Sequence, residues 1–172
     1  MRKAERGTLR VPVKEFLEIE GIVRGLKRQV GVEEDEIPWI SDSWRLIVLE
    51  GDRLDVRIRD LEVPMSMVHP SGRGSIWLPE GWEETRLERG LLEEYGHYRL
   101  TVLAFDTLPE GRGAQQLYKL WEQRDESRVR AFVLIWLIPE AKLFEFAGRE
   151  PELAELCRCS EQDVWDRLGL YS

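Results

Sequence analysis

The segment that most constrains the fold of this chain runs over residues 83–103, where apolar side chains recur at helical spacing. One face carries an apolar stripe, which consists of Leu87, Leu91, Tyr95, Tyr98 and Val102. The opposite face is not simply polar, because it consists of Gly90, Glu93, His97, Leu100 and Ala104. A helix that is apolar on most of its sides is a buried one. We therefore predict that the rest of the chain packs around this helix.

The middle of this helix brings two glutamates and a histidine together, in the sequence Glu93-Glu94-Tyr95-Gly96-His97. Glu93 and His97 are four residues apart, so they lie one turn apart on the same face. Burying such groups is costly unless they are paired or bind a metal. In zinc hydrolases a helix of this kind usually reads H-E-x-x-H, with two imidazole ligands and a glutamate as general base. Here Glu93 stands in place of the first histidine.

Length and charge limit the classes of function. At 172 residues the chain is predicted to form one domain, residues 1–172, and its net charge of −8 disfavours broad electrostatic binding to nucleic acid or anionic membranes. No run approaches the roughly 20 apolar residues of a membrane span. The charged start, residues 1–6, is unlike a signal peptide. Cys157 and Cys159 are too close in sequence for an unstrained disulfide, so we predict a reduced, cytoplasmic protein.

The first part of the chain is predicted to contain a helix followed by a hairpin. The helix is expected over residues 14–30, and Gly31 is expected to end it in the C-cap manner. The apolar run at residues 44–49 is typical of a strand, and residues 54–61 alternate between apolar and charged side chains. With a short glycine-containing turn between them, these two segments predict an antiparallel hairpin.

Further strands are predicted at residues 63–68 and 75–78, which would complete a small, mostly antiparallel sheet. The expected fold class is therefore α+β, with the N-terminal helix and strands in residues 1–75. Residues 76–150 would contain the core with the buried helix. Residues 151–172 would form a helical tail.

The second half of the chain is predicted to be mostly helical. A helix is expected from about residue 115 to residue 137, with Glu126 on its apolar, inward-facing stripe. Another helix is expected over residues 140–147. Ser160 and Asp163 form a capping-box pattern, which predicts the start of a last helix.

Two motifs resemble those of the ImmA/IrrE metallopeptidase family, whose sequences read loosely H-E-L-G-H-Y-L-L and later E-x-E-A-N-x-F-A-A-x-L-L-M-P. Residues 93–100, which read E-E-Y-G-H-Y-R-L, fall on the first motif. Residues 126–139, which read E-S-R-V-R-A-F-V-L-I-W-L-I-P, fall on the second without a gap. The similarity extends over roughly residues 76–170 and includes the helical tail. The two motifs together are more specific than either one alone.

The resemblance implies a zincin-like fold and roles for four residues. Glu94 matches the general base, His97 the second imidazole ligand, and Glu126 the carboxylate ligand from the following helix. Glu93 occupies the first imidazole position, so a metal, with zinc as the possible cofactor, would be bound by Glu93, His97 and Glu126. Arg130 stands where the family has an asparagine. Without a metal, the three glutamates would form an ionic network around His97.

Three functions remain open at this point. By resemblance, intact family members cut or control a transcriptional repressor, often in phages, mobile elements or stress responses. The first hypothesis is a pseudoenzyme, a metallopeptidase-like protein of transcription regulation that has lost efficient catalysis and binds a protein partner such as a repressor. The second is an active metal-dependent endopeptidase with Glu94 as general base. The third is a DNA-associated regulator that acts through the helical tail.

Three other features are predicted to be structural. His69 is expected to be an ordinary loop histidine. Cys157 and Cys159 lack a second pair with which to form a metal site, so they are expected to be thiols at a helix end. The tail has few basic residues, so packing or contact with a protein partner is favoured over direct DNA binding.

Overall fold

The computed structural model describes residues 9–106 and 126–170 of the chain. The helices in these two stretches are α1 (Val13–Val30), α2 (Ile40–Glu50), α3 (Glu84–Asp106), α4 (Glu126–Leu137), α5 (Glu140–Glu145), α6 (Glu150–Leu156) and α7 (Glu161–Gly169). The strands are β1 (Leu54–Arg59), β2 (Met65–Val68) and β3 (Gly74–Pro79), and a 3-10 turn, Gly51–Arg53, precedes β1. The predicted helix at residues 115–137 is confirmed from residue 126 onwards, and its earlier part lies outside the described residues.

Helix α1 forms where its apolar spacing predicts it. The buried face consists of Phe16, Ile19, Val23, Leu26, Lys27 and Val30. Gly31 ends the helix with a φ of 80°, and its backbone N–H donates to the carbonyl of Arg28. Because residues with a Cβ avoid this left-handed conformation, glycine is the residue suited to the position. The predicted C-cap is therefore confirmed.

The prediction of a strand at residues 44–49 is wrong, because this segment belongs to helix α2. Asp42, in the first turn, accepts a hydrogen bond from the backbone N–H of Trp39 at 2.8 Å and so fixes the start of the helix. The buried residues of α2 are Ser43, Leu46 and Glu50, which recur at helical spacing. Two of these three residues are polar, so the spacing of apolar residues in the sequence does not show that this segment is a helix. Val48 and Leu49, which suggested a strand, are exposed.

The sheet has the strand order β1-β3-β2 and is mixed, which corrects the expectation of a mostly antiparallel sheet. Strand β1 pairs in parallel with β3, from Leu54 beside Gly74 to Arg59 beside Pro79. Strand β2 pairs with β3 in the antiparallel direction. The predicted hairpin does not form, because the segment before β1 is helical and cannot pair with it. Strand β3 takes that place and lies between the other two.

The inner face of the sheet packs against α3. Ile76 and Leu78 of β3 are fully buried there. The hydroxyl of Tyr98 donates to the carbonyl of Gly72 at 2.9 Å, which places its ring over the start of β3. A Cβ on Gly74 would lie 2.7 Å from Cδ2 of this ring, so the absence of a side chain at residue 74 permits the contact.

Helix α3 is buried, as its sequence predicts, and packs closely against α4. Leu91, Leu92 and Tyr95 have no exposed surface. Gly96 lies where the two helices meet, because a Cβ there would lie 3.1 Å from Cδ1 of Phe132 and 3.3 Å from Cγ1 of Val129. The absence of a side chain on Gly96 therefore lets the helices approach. This approach brings the next residue along α3, a histidine, towards the start of α4.

Short helices follow α4, and α5 ends two residues before its predicted end. The predicted capping box of α7 is confirmed, because Ser160 Oγ accepts from the N–H of Asp163 at 3.1 Å and the Asp163 carboxylate accepts from the N–H of Ser160 at 3.0 Å. Arg167 of α7 is buried, and its Nε donates to the carbonyl of Ile138 at 3.0 Å. Helix α7 is thereby joined to the end of α4.

One hydrophobic cluster joins elements from all three predicted parts of the chain. Its members include Ile19, Leu46, Leu78, Phe132, Leu153 and Val164. Helix α1 packs against α4, while α2 and the sheet pack against α3. The fold class is therefore α+β, with α3 and α4 at its centre. None of the helices in the described parts of the chain combines the length and hydropathy that a membrane span requires.

Candidate functional site

Glu94 lies on the buried side of α3, next to the sheet. It is 7% exposed, and its carboxylate accepts a hydrogen bond from the hydroxyl of Ser66 in β2. Ser66 is itself buried and lies opposite Ile76 of β3. The hydrogen bond offsets part of the cost of burying the carboxylate. Sequence reasoning did not identify Ser66, because one serine in a short strand has no distinctive pattern.

His97 and Glu126 meet between α3 and α4. His97 is 8% exposed, and its Nε2 lies 3.5 Å from Oε1 of Glu126. The structure thus brings together two residues that are widely separated in sequence. The side chain of Glu126 is 75% exposed, so the prediction that it faces inward is wrong. Glu126 is the first residue of α4 and reaches the histidine from the solvent side.

Glu93 is engaged in a different contact. Its side chain is 48% exposed, and Oε1 accepts a hydrogen bond from Nε of Arg89, one turn earlier on α3, at 3.2 Å. Arg89 also makes a two-pronged contact with the carboxylate of Asp163 in α7, at 3.1 and 3.2 Å. Glu93 is therefore the exposed end of an ionic network that connects α3 to α7.

Arg130, at the position where the family motif has an asparagine, extends this network from α4. Its Nη2 donates to Oδ1 of Asp163 at 3.1 Å and also to the carboxylate of Asp166, which is fully buried. Burial acts to raise the pKa of Asp163, but the guanidinium of Arg89 outweighs it, so this pKa lies below its ordinary value. Asp163 therefore stays charged at neutral pH and holds arginines from two helices.

A second buried network lies under α3, and no sequence pattern predicts it. Glu88 is 1% exposed and accepts hydrogen bonds from Nε and Nη2 of Arg158, both at 2.9 Å, and from Ser43 Oγ at 2.8 Å. Nε1 of Trp136 donates to the same Ser43 oxygen at 3.0 Å. These contacts join α2, α3, α4 and the turn before α7. A glutamate within a charged helix start resembles a surface residue, so its burial could not be read from the sequence.

Glu50, at the end of α2, binds two residues of α3. Its Oε1 accepts from the hydroxyl of Tyr95 at 2.8 Å and from Nη1 of Arg99 at 3.1 Å. Burial, followed by the negative charge of Glu50, raises the pKa of Tyr95 well above its ordinary value. The phenol therefore remains protonated and serves as a donor. Like Glu88, Glu50 is a structural carboxylate and lies apart from the His97 contact.

The donor set around His97 fits a metal only in part. One imidazole and one carboxylate approach each other, but Glu93 pairs with Arg89 and Glu94 accepts from Ser66. Within residues 9–106 and 126–170, no group of three or more His, Cys, Asp or Glu side chains is arranged so that it could hold a metal ion. Catalytic zinc usually has three protein ligands. To supply the third ligand here, Glu93 would have to leave its arginine.

The features expected to be structural have ordinary surroundings. His69 is exposed, and its Nδ1 lies 2.8 Å from Oγ of the loop residue Ser71. Cys157 and Cys159 are free thiols, and burial raises the pKa of each to about 12. Both thiols are therefore protonated at neutral pH, which makes them weak nucleophiles.

The two basic residues of the tail, Arg158 before α7 and Arg167 within it, make their contacts inside the fold. Arg158 contacts Glu88 and the carbonyl of Pro38, and Arg167 contacts the carbonyl of Ile138. Their charges are therefore directed towards the protein interior. This arrangement favours packing over DNA contact for these two residues.

In comparisons with known proteins, no protein-family model, no curated protein and no solved structure matches this chain.

Proposed function

We propose that the protein is a metallopeptidase-like regulatory protein of the ImmA/IrrE type, in which catalysis is lost or weak and the fold binds a protein partner. The observation that carries this proposal is the ion pair between Glu93 and Arg89. The family motif has an imidazole ligand at this position, whereas here a carboxylate pairs with an arginine. The resemblance of the two motifs supplies the rest of the proposal, which is a zincin-like fold and a repressor-type transcription factor as partner.

The surroundings of the other motif residues support a loss of catalysis. In a metallopeptidase, the general-base glutamate takes a proton from a metal-bound water whose pKa the metal has lowered. Here Glu94 is buried, and one of its carboxylate oxygens is already used by a hydrogen bond from Ser66. A site with two carboxylates and one imidazole would also give the metal less Lewis acidity, because the ligands add negative charge. Arg130 places a further cation on the adjoining network.

An exposed surface of the sheet supports a role in binding a protein. The outer sheet face consists of the side chains that alternate away from α3, which are Asp55, Arg57, Met65, Met67, Ser75 and Trp77. Met65 is 47% exposed and Met67 is 57% exposed. Flexible methionine side chains are common at surfaces that bind protein partners. A cavity of about 380 Å³ adjoins this face and includes Met67 and Trp77 in its lining.

A second candidate function is the active metal-dependent endopeptidase. The observation in its favour is the approach of His97 and Glu126 to 3.5 Å, beside a buried Glu94 on the same helix. This function requires Glu93 to exchange its contact with Arg89 for a bond to metal. The two candidates therefore differ in what Glu93 does, and a substitution at this residue separates them.

The test compares the zinc content of the wild-type protein, Glu93→His and Glu93→Gln, each purified without added metal and measured by elemental analysis. We expect wild type and Glu93→Gln to hold little zinc, and Glu93→His to approach one zinc per chain. The reason is that the histidine variant restores a second imidazole four residues before His97, on the same helix face. Glu93→Gln is the matched control, since it also breaks the ion pair but adds no ligand.

Two results would count against the proposal. Near-stoichiometric zinc in the wild type, lost in Glu93→Gln, would reject it and favour the endopeptidase. A failure of Glu93→His to gain zinc would mean that His97 and Glu126 are not placed as metal ligands, and the resemblance would lose its support at the site.

A further inference from the structure

A cleft of about 540 Å³ lies between α1, the loop that follows it and the junction of α4 with α5. This volume is within the range of small-molecule binding sites. Glu93, Glu94, His97 and Glu126 are not among the residues that line it, so the cleft is separate from the site described above. Its lining includes apolar, basic and acidic side chains, and these differ in how exposed they are.

The deep part of the cleft contains the ammonium group of Lys27. This residue is 4% exposed, and its Nζ lies 5.7 Å from the centroid of the Trp136 ring. Within the described parts of the chain, the side chain of Lys27 makes no hydrogen bond or ion pair. Burial, followed by the positive charge of Arg167, lowers the pKa of Lys27 to about 8. The Trp136 ring stabilises this ammonium in part through a cation–π contact, but no carboxylate among the described residues pairs with it as buried charges normally require.

Arg167 adds a second positive charge to the lining of the cleft. It is 2% exposed, and its Nε is already used by the carbonyl of Ile138. Apolar residues also line the cleft: Val23 and Ile135 are buried like the two cations, whereas Phe144 is 75% exposed. Lys27 and Arg167 are therefore the most buried charges of the cleft, because the half-buried Glu20 in its lining is paired with Arg24. Two buried cations with apolar neighbours suit a carboxylate joined to an apolar group.

The mouth of the cleft carries the opposite charge. Its exposed acidic residues are Glu33, Glu34, Asp35 and Glu140. Arg24 neutralises part of this charge, since it pairs with Glu34 at 2.6 Å and with Glu20 at 3.3 Å. The remaining acids would repel a polyanion such as a nucleotide but would attract an amine.

We propose that this cleft binds a small zwitterion whose carboxylate lies at Lys27, whose apolar middle contacts Val23, Ile135 and Phe144, and whose amine lies at the acidic mouth. The carboxylate would supply the partner that the Lys27 ammonium lacks among the described residues. The amine would remain near water, where a pair with an exposed carboxylate costs little desolvation. The order of charges from the interior to the mouth thus sets the orientation of the ligand.

The experiment uses three probes of similar shape, para-aminomethylbenzoate, benzoate and benzylamine, in titrations of the isotope-labelled full chain followed by NMR. We expect para-aminomethylbenzoate to bind most tightly and its shifts to map to residues that line the cleft. Lys27→Met should weaken its binding about tenfold or more, because a desolvated charge pair is lost. The same variant should leave benzylamine unchanged. Lys14→Met, at an exposed lysine of the same helix, is the matched control and should bind all three probes like the wild type.

Several outcomes would overturn the proposal. These are the absence of binding at millimolar probe, shifts that map outside the cleft, and equal affinity of para-aminomethylbenzoate for wild type and Lys27→Met. If Lys27→Met does not fold, Phe144→Ala decides the question, since Phe144 is 75% exposed and its loss should spare the core. Weaker binding of para-aminomethylbenzoate by Phe144→Ala would support the proposal, and unchanged binding would reject it.

Discussion

At the scale of single residues, helix α3 carries two glutamate–arginine pairs in different surroundings. The side chain of Glu88 is 2% exposed and accepts from Arg158 twice at 2.9 Å. The side chain of Glu93 is 48% exposed and accepts from Arg89 at 3.2 Å. Removing one partner of a buried pair leaves an uncompensated charge, whereas an exposed pair is screened by water. The two pairs should therefore contribute very differently to stability.

Glu88→Gln should lower the free energy of unfolding by roughly 3 kcal/mol, because the guanidinium of Arg158 loses its counter-charge in a buried position. Glu93→Gln, the same substitution on the same helix, should lower it by less than about 1 kcal/mol. Urea denaturation of both variants at neutral pH measures the difference. Equal losses would show that burial does not separate the two pairs.

At the scale of elements, the contact between α3 and α4 depends on the lack of a side chain at Gly96. The atoms nearest to a Cβ at this position belong to Phe132 and Val129, at 3.1 and 3.3 Å. Both side chains are buried in the packed core, so they have little room to move. By contrast, a Cβ on Gly21, in the exposed part of α1, would have no atom within 4 Å.

Gly96→Ala should therefore lower the free energy of unfolding, because the gain in helix propensity is outweighed by the crowding of Phe132 and Val129. Gly21→Ala should raise it by roughly 0.5–1 kcal/mol, since alanine restricts the unfolded chain and meets no neighbour in the folded one. Thermal and urea denaturation of the two variants provide the measurement. A stabilising Gly96→Ala would mean that α3 and α4 are not in close contact there.

At the scale of the whole molecule, buried titratable groups connect stability to pH in opposite directions. The pKa of Lys27 is lowered from 10.5 to about 8, first by burial, so between these values the unfolded chain binds more protons than the folded one. Stability should therefore rise with pH in this range. The pKa values of Tyr95, Cys157 and Cys159 are raised by burial, and in their case stability falls as the unfolded groups lose protons above about pH 9.

The contribution of Lys27 is isolated by comparing wild type with Lys27→Met, which retains the other three groups. The free energy of unfolding of wild type, relative to that of the variant, should rise by roughly 3 kcal/mol between pH 7 and pH 11. Chemical denaturation at a series of pH values measures this difference. A difference that stays constant over this range would show that Lys27 is fully hydrated in the folded protein.

The sequence predicted well those elements whose buried residues are apolar. Helix α1, with its C-cap at Gly31, and helix α3 were predicted close to their observed positions. The capping box of α7 was also found, because its bonds join residues only three positions apart. In α2 the buried positions are Ser43 and Glu50 as well as Leu46, and the prediction failed there because polar residues serve as core.

The same distinction applies to the candidate site. The spacing of Glu93, Glu94 and His97 could be read from the chain, since a helix fixes which residues share a face. Their partners could not be read, because Arg89 competes for Glu93 and Ser66 reaches Glu94 from another element. The exposed position of Glu126 at a helix start was likewise not evident from its place in an apolar pattern.

The sequence by itself thus determined most of the helices and their caps, because helical spacing and capping depend on residues only a few positions apart. Other features were decided only when distant segments packed together. They are the mixed strand order, the buried Glu88 network, the pairing of Glu93 with Arg89 and the burial of Lys27. The physical reason is that the free energy of a polar or charged side chain depends on its desolvation and on its partners. Both are properties of the assembled core, and neither is encoded in the spacing of residues along one element.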